Sequence, residues 1–215
     1  MDERPIREAA TAICARHGAE GPEVLVVERG AASRFLPGYV VFPGGAVDAG
    51  DEAHAGRWFR DPTQSHRAAA IRELIEEAGL ALTSGGLVPV DTERPFASVD
   101  VLPPAAGQLA EIAHWIAPPD VPVRFDARYF AMAAPTGLEP RPDGEEAVAA
   151  WWVSPGALMA AWSEGRRKLY WPTFFTLGHL AACTSVAQIL ALVFETRDPT
   201  DEEVAELPRS VMEQD

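Results

Sequence analysis

Three glutamates, Glu73, Glu76 and Glu77, stand three and four residues apart in a segment with helical patterning. At 3.6 residues per turn these spacings place the three carboxylates on one helix face. Like charges at such spacings repel one another and weaken an isolated helix. A cation among them removes that penalty, and hard oxygen ligands suit Mg²⁺ or Mn²⁺. Upstream, the apolar run Tyr39-Val40-Val41-Phe42 leads into Pro43-Gly44-Gly45. That turn can adopt backbone conformations, and a closeness of approach, that a Cβ would forbid.

The elements that must hold these residues are legible to different degrees. Ala9 to Arg16 and Glu23 to Glu28 read as strands, the second a continuous apolar run fit for burial on both faces. Tyr39 to Phe42 is a third, short strand. Residues 46–62 read as an acidic loop with a turn of helix near Ala53 to Phe59. Thr63 or Ser65 is placed to cap the glutamate helix. Ala68, Ile71, Leu74, Ile75 and Ala78 form its apolar stripe, and Gly79 marks its end. Prolines and a Gly pair punctuate residues 81–104. Ala105 to Ile116 reads as helix, Val123 to Ala134 as strand, and Val148 to Val153 as strand. Ser154 caps a helix with Pro155 at its first position, running to Ser163. Thr173 to Ala182 is a further helix. Another starts at Thr184 or Ser185 and runs through Phe194. Interspersed strands and helices predict one mixed α/β domain.

Bulk properties narrow the function. The chain has 215 residues, 47% of them hydrophobic, with a net charge of −14. One domain with a substantial core is expected over 1–215, its core spanning about 8–195, followed by an acidic tail at 197–215. Such an acidic protein is a poor fit for nucleic acid, whose phosphates need a basic footprint. If it handles a phosphate substrate, it must screen its own carboxylates. No apolar run reaches membrane-spanning length, and the amino terminus lacks the apolar stretch of a signal peptide. Cys14 and Cys183 have no metal-site spacing and read as reduced thiols, in keeping with a cytoplasmic protein. The five histidines lack ligand spacing, which excludes a zinc site of the usual kind. The apolar ends of the last helices suit either the core or a homodimer.

Gly45, Asp51 and Arg72-Glu73-Leu74-Ile75-Glu76-Glu77-Ala78-Gly79-Leu80 together resemble the Nudix box, Gx5Ex7REUxEExGU, where U is bulky and apolar. The run from Arg72 to Leu80 matches at every defined position. Asp51 stands where the family has Glu, and residues 52–71 form a spacer longer than the family's x7. An expanded box of this kind is similar to that of a subset related to the coenzyme A diphosphatases. The resemblance implies an α/β/α sandwich with a mixed sheet and extra C-terminal helices. It also implies a metal-dependent hydrolase that cleaves a diphosphate linkage. Such cleavage needs a nucleophilic water, neutralisation of oxygen charge, and positioning. On this resemblance Glu73, Glu76 and Glu77 are metal ligands and catalytic acids, and Gly45 adds its carbonyl to the metal. Arg72 fixes a carboxylate by a bidentate contact. Members of the family often carry a Glu six residues before a strand Trp-Val. Counting back from Trp152-Val153 gives Glu146, a distal ligand or general base, with Glu145 a near equivalent.

A second motif bears on substrate. Coenzyme A-directed relatives carry LLTxR(S/A)x3Rx3Gx3FPGG ahead of the box. Leu25, Arg29, Arg34, Gly38 and Phe42-Pro43-Gly44-Gly45 keep its register, while Val26, Val27 and Gly30 depart from it. Arg29 and Arg34 suit charge-assisted contacts to phosphate, with Gly38, Gly44 and Gly45 shaping the binding turn. The expected substrate is a small nucleotide like coenzyme A or its acyl derivatives, giving 3′,5′-ADP and a 4′-phosphopantetheine product. NADH or ADP-ribose is the alternative substrate, and a nucleotide-binding module without turnover is the alternative class. Trp115, Phe125 and Tyr129 suit core packing first, and otherwise a stack on adenine or the lining of an acyl channel.

Overall fold

The computed structural model describes residues 6–33, 36–117 and 124–196. The acidic tail at 197–215 and Arg34 lie outside the described residues. The chain begins with two long strands, β1 (Ile6–Gly18) and β2 (Gly21–Arg29), paired antiparallel around a tight turn. Val24, Leu25, Val26 and Val27 are all fully buried. Their β-branched run succeeds because both faces of the sheet are covered. Two short strands, β3 (Tyr39–Val41) and β4 (Gly44–Ala46), lead to helix α1 (Ala49–Trp58) and then helix α2 (Ser65–Ala78). A small hairpin follows, β5 (Leu80–Thr83) with β6 (Gly86–Pro89), and then the short helix α3 (Ala97–Val101). Strands β7 (Ala110–Ile116), β8 (Arg124–Ala133) and β9 (Ala147–Val153) return to the main sheet. Helix α4 (Pro155–Ser163), strand β10 (Lys168–Leu169) and helices α5 (Trp171–Ala181) and α6 (Val186–Leu190) complete the described chain.

The main sheet is mixed. Its path runs β10-β3-β2-β1-β8-β7, with β4 paired to β1 and β9 paired to β2. β1 runs parallel to β8 over its whole length and antiparallel to β2 and β4. One face packs on α2 through Ala10, Ala12, Cys14, Leu25, Val27, Ile71 and Leu74. The other packs on α4, α5 and α6 through Ile13, Ala15, Val24, Val26, Leu158, Leu177 and Ile189. Alternate residues of β1 and β2 thus feed opposite cores, which makes the α/β/α sandwich and its extra C-terminal helices.

Four local expectations are corrected. Ala105 to Ile116 is not helical: a 3₁₀ turn over Ala106–Gln108 precedes strand β7. Its alanines favour helix intrinsically, but pairing with β8 overrides that preference, with a bulge between Glu111 and Ala113 accommodating the register. Residues 46–62 hold a complete helix rather than a loop. Asp48 caps α1 by accepting from the Gly50 amide, and Asp51 closes the capping box on the Asp48 amide at 2.9 Å. Neither Thr63 nor Ser65 caps α2; Asp61 accepts from the Thr63 amide and starts a 3₁₀ turn that runs into it. The last helix stops at Leu190, capped at its start by Ser185. Phe194 instead donates its amide to the Ile112 carbonyl, laying residues beyond α6 along the outer edge of β7. This contact covers part of an otherwise open strand edge.

Candidate active site

Helix α2 presents its acids where its apolar stripe ends. Leu74, Ile75 and Ala78 point into the core, while Glu73 and Glu77 sit at its margin with exposures of 8% and 1%. Glu76 is half-exposed. Gly79 ends the helix with φ at 63°, and its amide returns to the Ile75 and Leu74 carbonyls. A Cβ there would also meet the Arg141 carbonyl at 2.6 Å. The turn after β3 faces this helix. Gly44 donates its amide to Glu77 at 3.0 Å. Gly45 lies so near Glu73 that a Cβ would stand 2.3 Å from its Oε1.

Arg72 is the hub of the acidic wall. Its Nη1 donates to Glu73 and Glu76, each at 2.8 Å, and its Nη2 to the Ala46 carbonyl at 2.8 Å. Its Nε and Nη2 donate to the two oxygens of Asp51 at 2.9 and 3.1 Å. Asp51 is fully buried, so one carboxylate both closes the α1 cap and holds the arginine that aligns the glutamates. Burial by itself would lower the Arg72 pKa, but Asp51 and Glu73 outweigh it and hold the guanidinium firmly charged. Residues 52–71 form most of α1, the 3₁₀ turn and the first half of α2. The expanded spacer is therefore a helical excursion that brings Asp51 back against Arg72. It is pinned from outside: Trp58 donates to Asp100 on α3 at 2.8 Å, and His54 stacks near Trp58 and Phe96.

The remaining acids meet a second arginine. Arg29 contacts Glu77 and Glu146, each at 3.3 Å, and so links helix α2 to the loop before β9. Burial pushes Glu77 up to about 8, with Glu73 adding to the rise. Burial likewise pushes Glu73 up to about 7, against the pull of Arg72 and with help from Glu76 and Glu146. These two carboxylates are costly to ionise as they stand, which is the condition a bound cation relieves. The donor set, hard oxygens on one wall beside a backbone turn, fits Mg²⁺ or Mn²⁺. Among the described residues no three acidic, imidazole or thiol side chains are yet gathered closely enough to enclose an ion. Arg72 and Arg29 stand between the acids instead.

Other expected residues divide. Gly38 has φ at 74° and its amide bonds to the Arg29 carbonyl, so it shapes the loop that carries Arg29 and does not line the cleft. Arg29, Gly44, Gly45, Arg72, Glu73, Glu76 and Glu146 all line one cleft of about 720 Å³. Trp115, Phe125 and Tyr129 line its other end; Trp115 and Tyr129 are also nearly buried in the core, so packing and lining coincide. Arg7 and Thr11 of β1 and the Tyr170–Thr173 segment at the start of α5 also line it. The β1 residues carried a period-2 signal. The α5 residues carried none, because only tertiary folding brings that helix over the sheet.

A hydrolase-type site at a glycine turn and a glutamate helix, on an α/β/α sandwich, defines the class. The profile of the NUDIX domain matches residues 6–171, and the chain belongs to the Nudix hydrolase family of pyrophosphohydrolases. It is 32% identical over 122 residues to "Putative nudix hydrolase 7" of Caenorhabditis elegans, an alignment covering 51% of this chain and 39% of that protein. The crystal structure of a NUDIX hydrolase from Alicyclobacillus acidocaldarius superposes with a TM-score of 0.77 at 32% identity, covering 88% of this chain and 97% of that one. DR0079 from Deinococcus radiodurans shares the fold alone, with a TM-score of 0.51 and 14% identity over 81% of this chain and 82% of that one. Among the described residues no helix is long and apolar enough to cross a membrane.

Proposed function

We propose that this chain hydrolyses the diphosphate linkage of coenzyme A or an acyl-coenzyme A, with Mg²⁺ or Mn²⁺ as cofactor, releasing 3′,5′-ADP and a 4′-phosphopantetheine product. The observation that carries this reading is the single cleft with a charged end and an apolar end, with Arg29 set between Glu77 and Glu146 at the charged end. Glu73, Glu76 and Glu77, with the Gly45 carbonyl, would hold the cation. The cation supplies charge neutralisation and a more acidic bound water. The chain's own residues do the rest. Arg29 donates to phosphate oxygens once its carboxylate partners are drawn elsewhere, and Arg34 is assigned the same role from the sequence motif. Arg72 keeps Glu73 and Glu76 aligned. Glu146, exposed at the cleft, accepts the proton as water oxygen bonds to phosphorus and the bridging P–O bond breaks in line. The proton count balances, with the bridging oxygen leaving on the second phosphate.

A substrate panel with product identification tests the assignment. Coenzyme A turnover to 3′,5′-ADP supports it. Far faster turnover of NADH or ADP-ribose would move the substrate to those compounds. Glu77→Gln separates an enzyme from a binding module: an active parent with a variant weaker by orders of magnitude supports catalysis, and two equally inert proteins that still bind nucleotide support the module.

A further inference from the structure

The apolar end of the cleft has features that the diphosphate chemistry does not use. Ile116 is 53% exposed there, an unusual position for a large aliphatic side chain. Phe125 and Trp171 are half-buried beside it, and Trp115 lies beneath. Both indole N–H groups are shielded from solvent and have no hydrogen-bond partner among the described residues. Trp115 and Trp171 each pack against Phe175, the former edge-on at 5.4 Å between centroids. The rings therefore turn carbon, not donors, toward the cleft. The Tyr129 hydroxyl is engaged with Thr11.

We infer that this wall, led by Ile116, Phe125 and Trp171, is a binding site for a hydrocarbon chain, and that it selects acylated over unacylated substrate. The inference rests on the diphosphatase reading for the placement of the phosphates at the other end. A nucleobase is a poorer occupant, because its ring nitrogens and exocyclic groups would find few partners on a wall of carbon. A methylene chain asks for no partner and gains from leaving water. The continuity of the wall with the charged end supplies the geometry: one substrate can place phosphate against Arg29 and its chain against Ile116.

The experiment measures KM and kcat for coenzyme A and its acetyl, butanoyl, hexanoyl and octanoyl thioesters. KM should fall by about two- to fourfold per methylene until the wall is covered, with kcat little changed. Ile116→Asn lies on the surface and leaves the core intact; it should flatten that slope and leave unacylated coenzyme A unchanged. Phe125→Ala provides a second variant with the same expected signature. A KM independent of chain length, or variants that weaken coenzyme A and octanoyl-coenzyme A equally, would overturn the inference. If no coenzyme A species is hydrolysed but another diphosphate is, the substrate assignment above fails separately. Butyl, hexyl and octyl phosphate are then tested as competitive inhibitors of that reaction. Inhibition that strengthens with chain length and disappears in Ile116→Asn supports the hydrocarbon site, and inhibition independent of length refutes it.

Discussion

Gly44 and Gly45 are adjacent, yet the same substitution should fail in opposite ways. At Gly44 an added Cβ would stand 2.6 Å from the Ala10 carbonyl oxygen and 2.9 Å from the Thr11 Cα. Both are backbone atoms of β1 and can move only if the β1–β4 pairing opens, since Thr11 and Gly44 are register partners. Overpacking of this kind costs about 1–3 kcal/mol, which for a chain of this size is a Tm loss of roughly 2–12 °C. At Gly45 the Cβ would stand 2.3 Å from Glu73 Oε1 and 2.7 Å from its Cδ. Those atoms end a side chain and can rotate away, so stability changes little. The rotation pulls Glu73 from Arg72 Nη1, now 2.8 Å away, and out of line with Glu76. Misplacement of about 1 Å at a catalytic group costs on the order of 10²-fold in rate. Thermal unfolding and kcat are measured for both variants on the best substrate of the panel. Gly45→Ala should keep its Tm and lose activity; Gly44→Ala should lose Tm. A Gly45→Ala enzyme with wild-type kcat, or a Gly44→Ala protein as stable as the parent, would refute the geometry argued for this turn.

Three further outcomes follow from the same contacts. Because Glu73 and Glu77 hold protons more tightly when folded, their contribution is fully present below their unfolded pKa and is lost as pH rises through about 7 to 8. Denaturation in chelator from pH 5 to 9 should show that loss, on the order of a few kcal/mol. Glu77→Gln should flatten it, and an unchanged slope would contradict the assigned burial penalty. Asp51→Asn removes the buried partner of Arg72 and should cost about 3–5 kcal/mol together with most activity, read by chemical denaturation and kcat. Cys14 is fully buried, and burial raises its thiol pKa far above neutrality. It should resist alkylation in the native protein and react on unfolding, as peptide mapping would show.

What could be read from the sequence was what depends on local spacing. The α2 carboxylates, the Gly79 stop and the β2 apolar run follow from periodicity and backbone preference, and each appears in its expected element. Ala110 to Ile116 was misread because alanine-rich composition favours a helix in isolation, while β8 offers a strand partner more than ten residues away in the sequence. The role of Arg29 was half-legible. Its charge suggested phosphate, but its double contact with Glu77 and Glu146 arises only when α2 and the loop before β9 converge on it.

The expanded spacer shows why a long insertion at such a sensitive point leaves the site whole. Lengthening a loop adds little closure entropy, but a flexible loop would leave Asp51 free to wander from Arg72. Here the extra residues become α1, whose first turn fixes Asp51 through its own capping box. Its last turn is tied to α3 by Trp58 and Asp100. The shorter acid at this position suits that arrangement, because the helix cap sets its carboxylate close to the arginine and a longer side chain would overfill a fully buried position. The insertion and the substitution at Asp51 are thus two halves of one solution: the helix supplies the reach that the shorter side chain lacks.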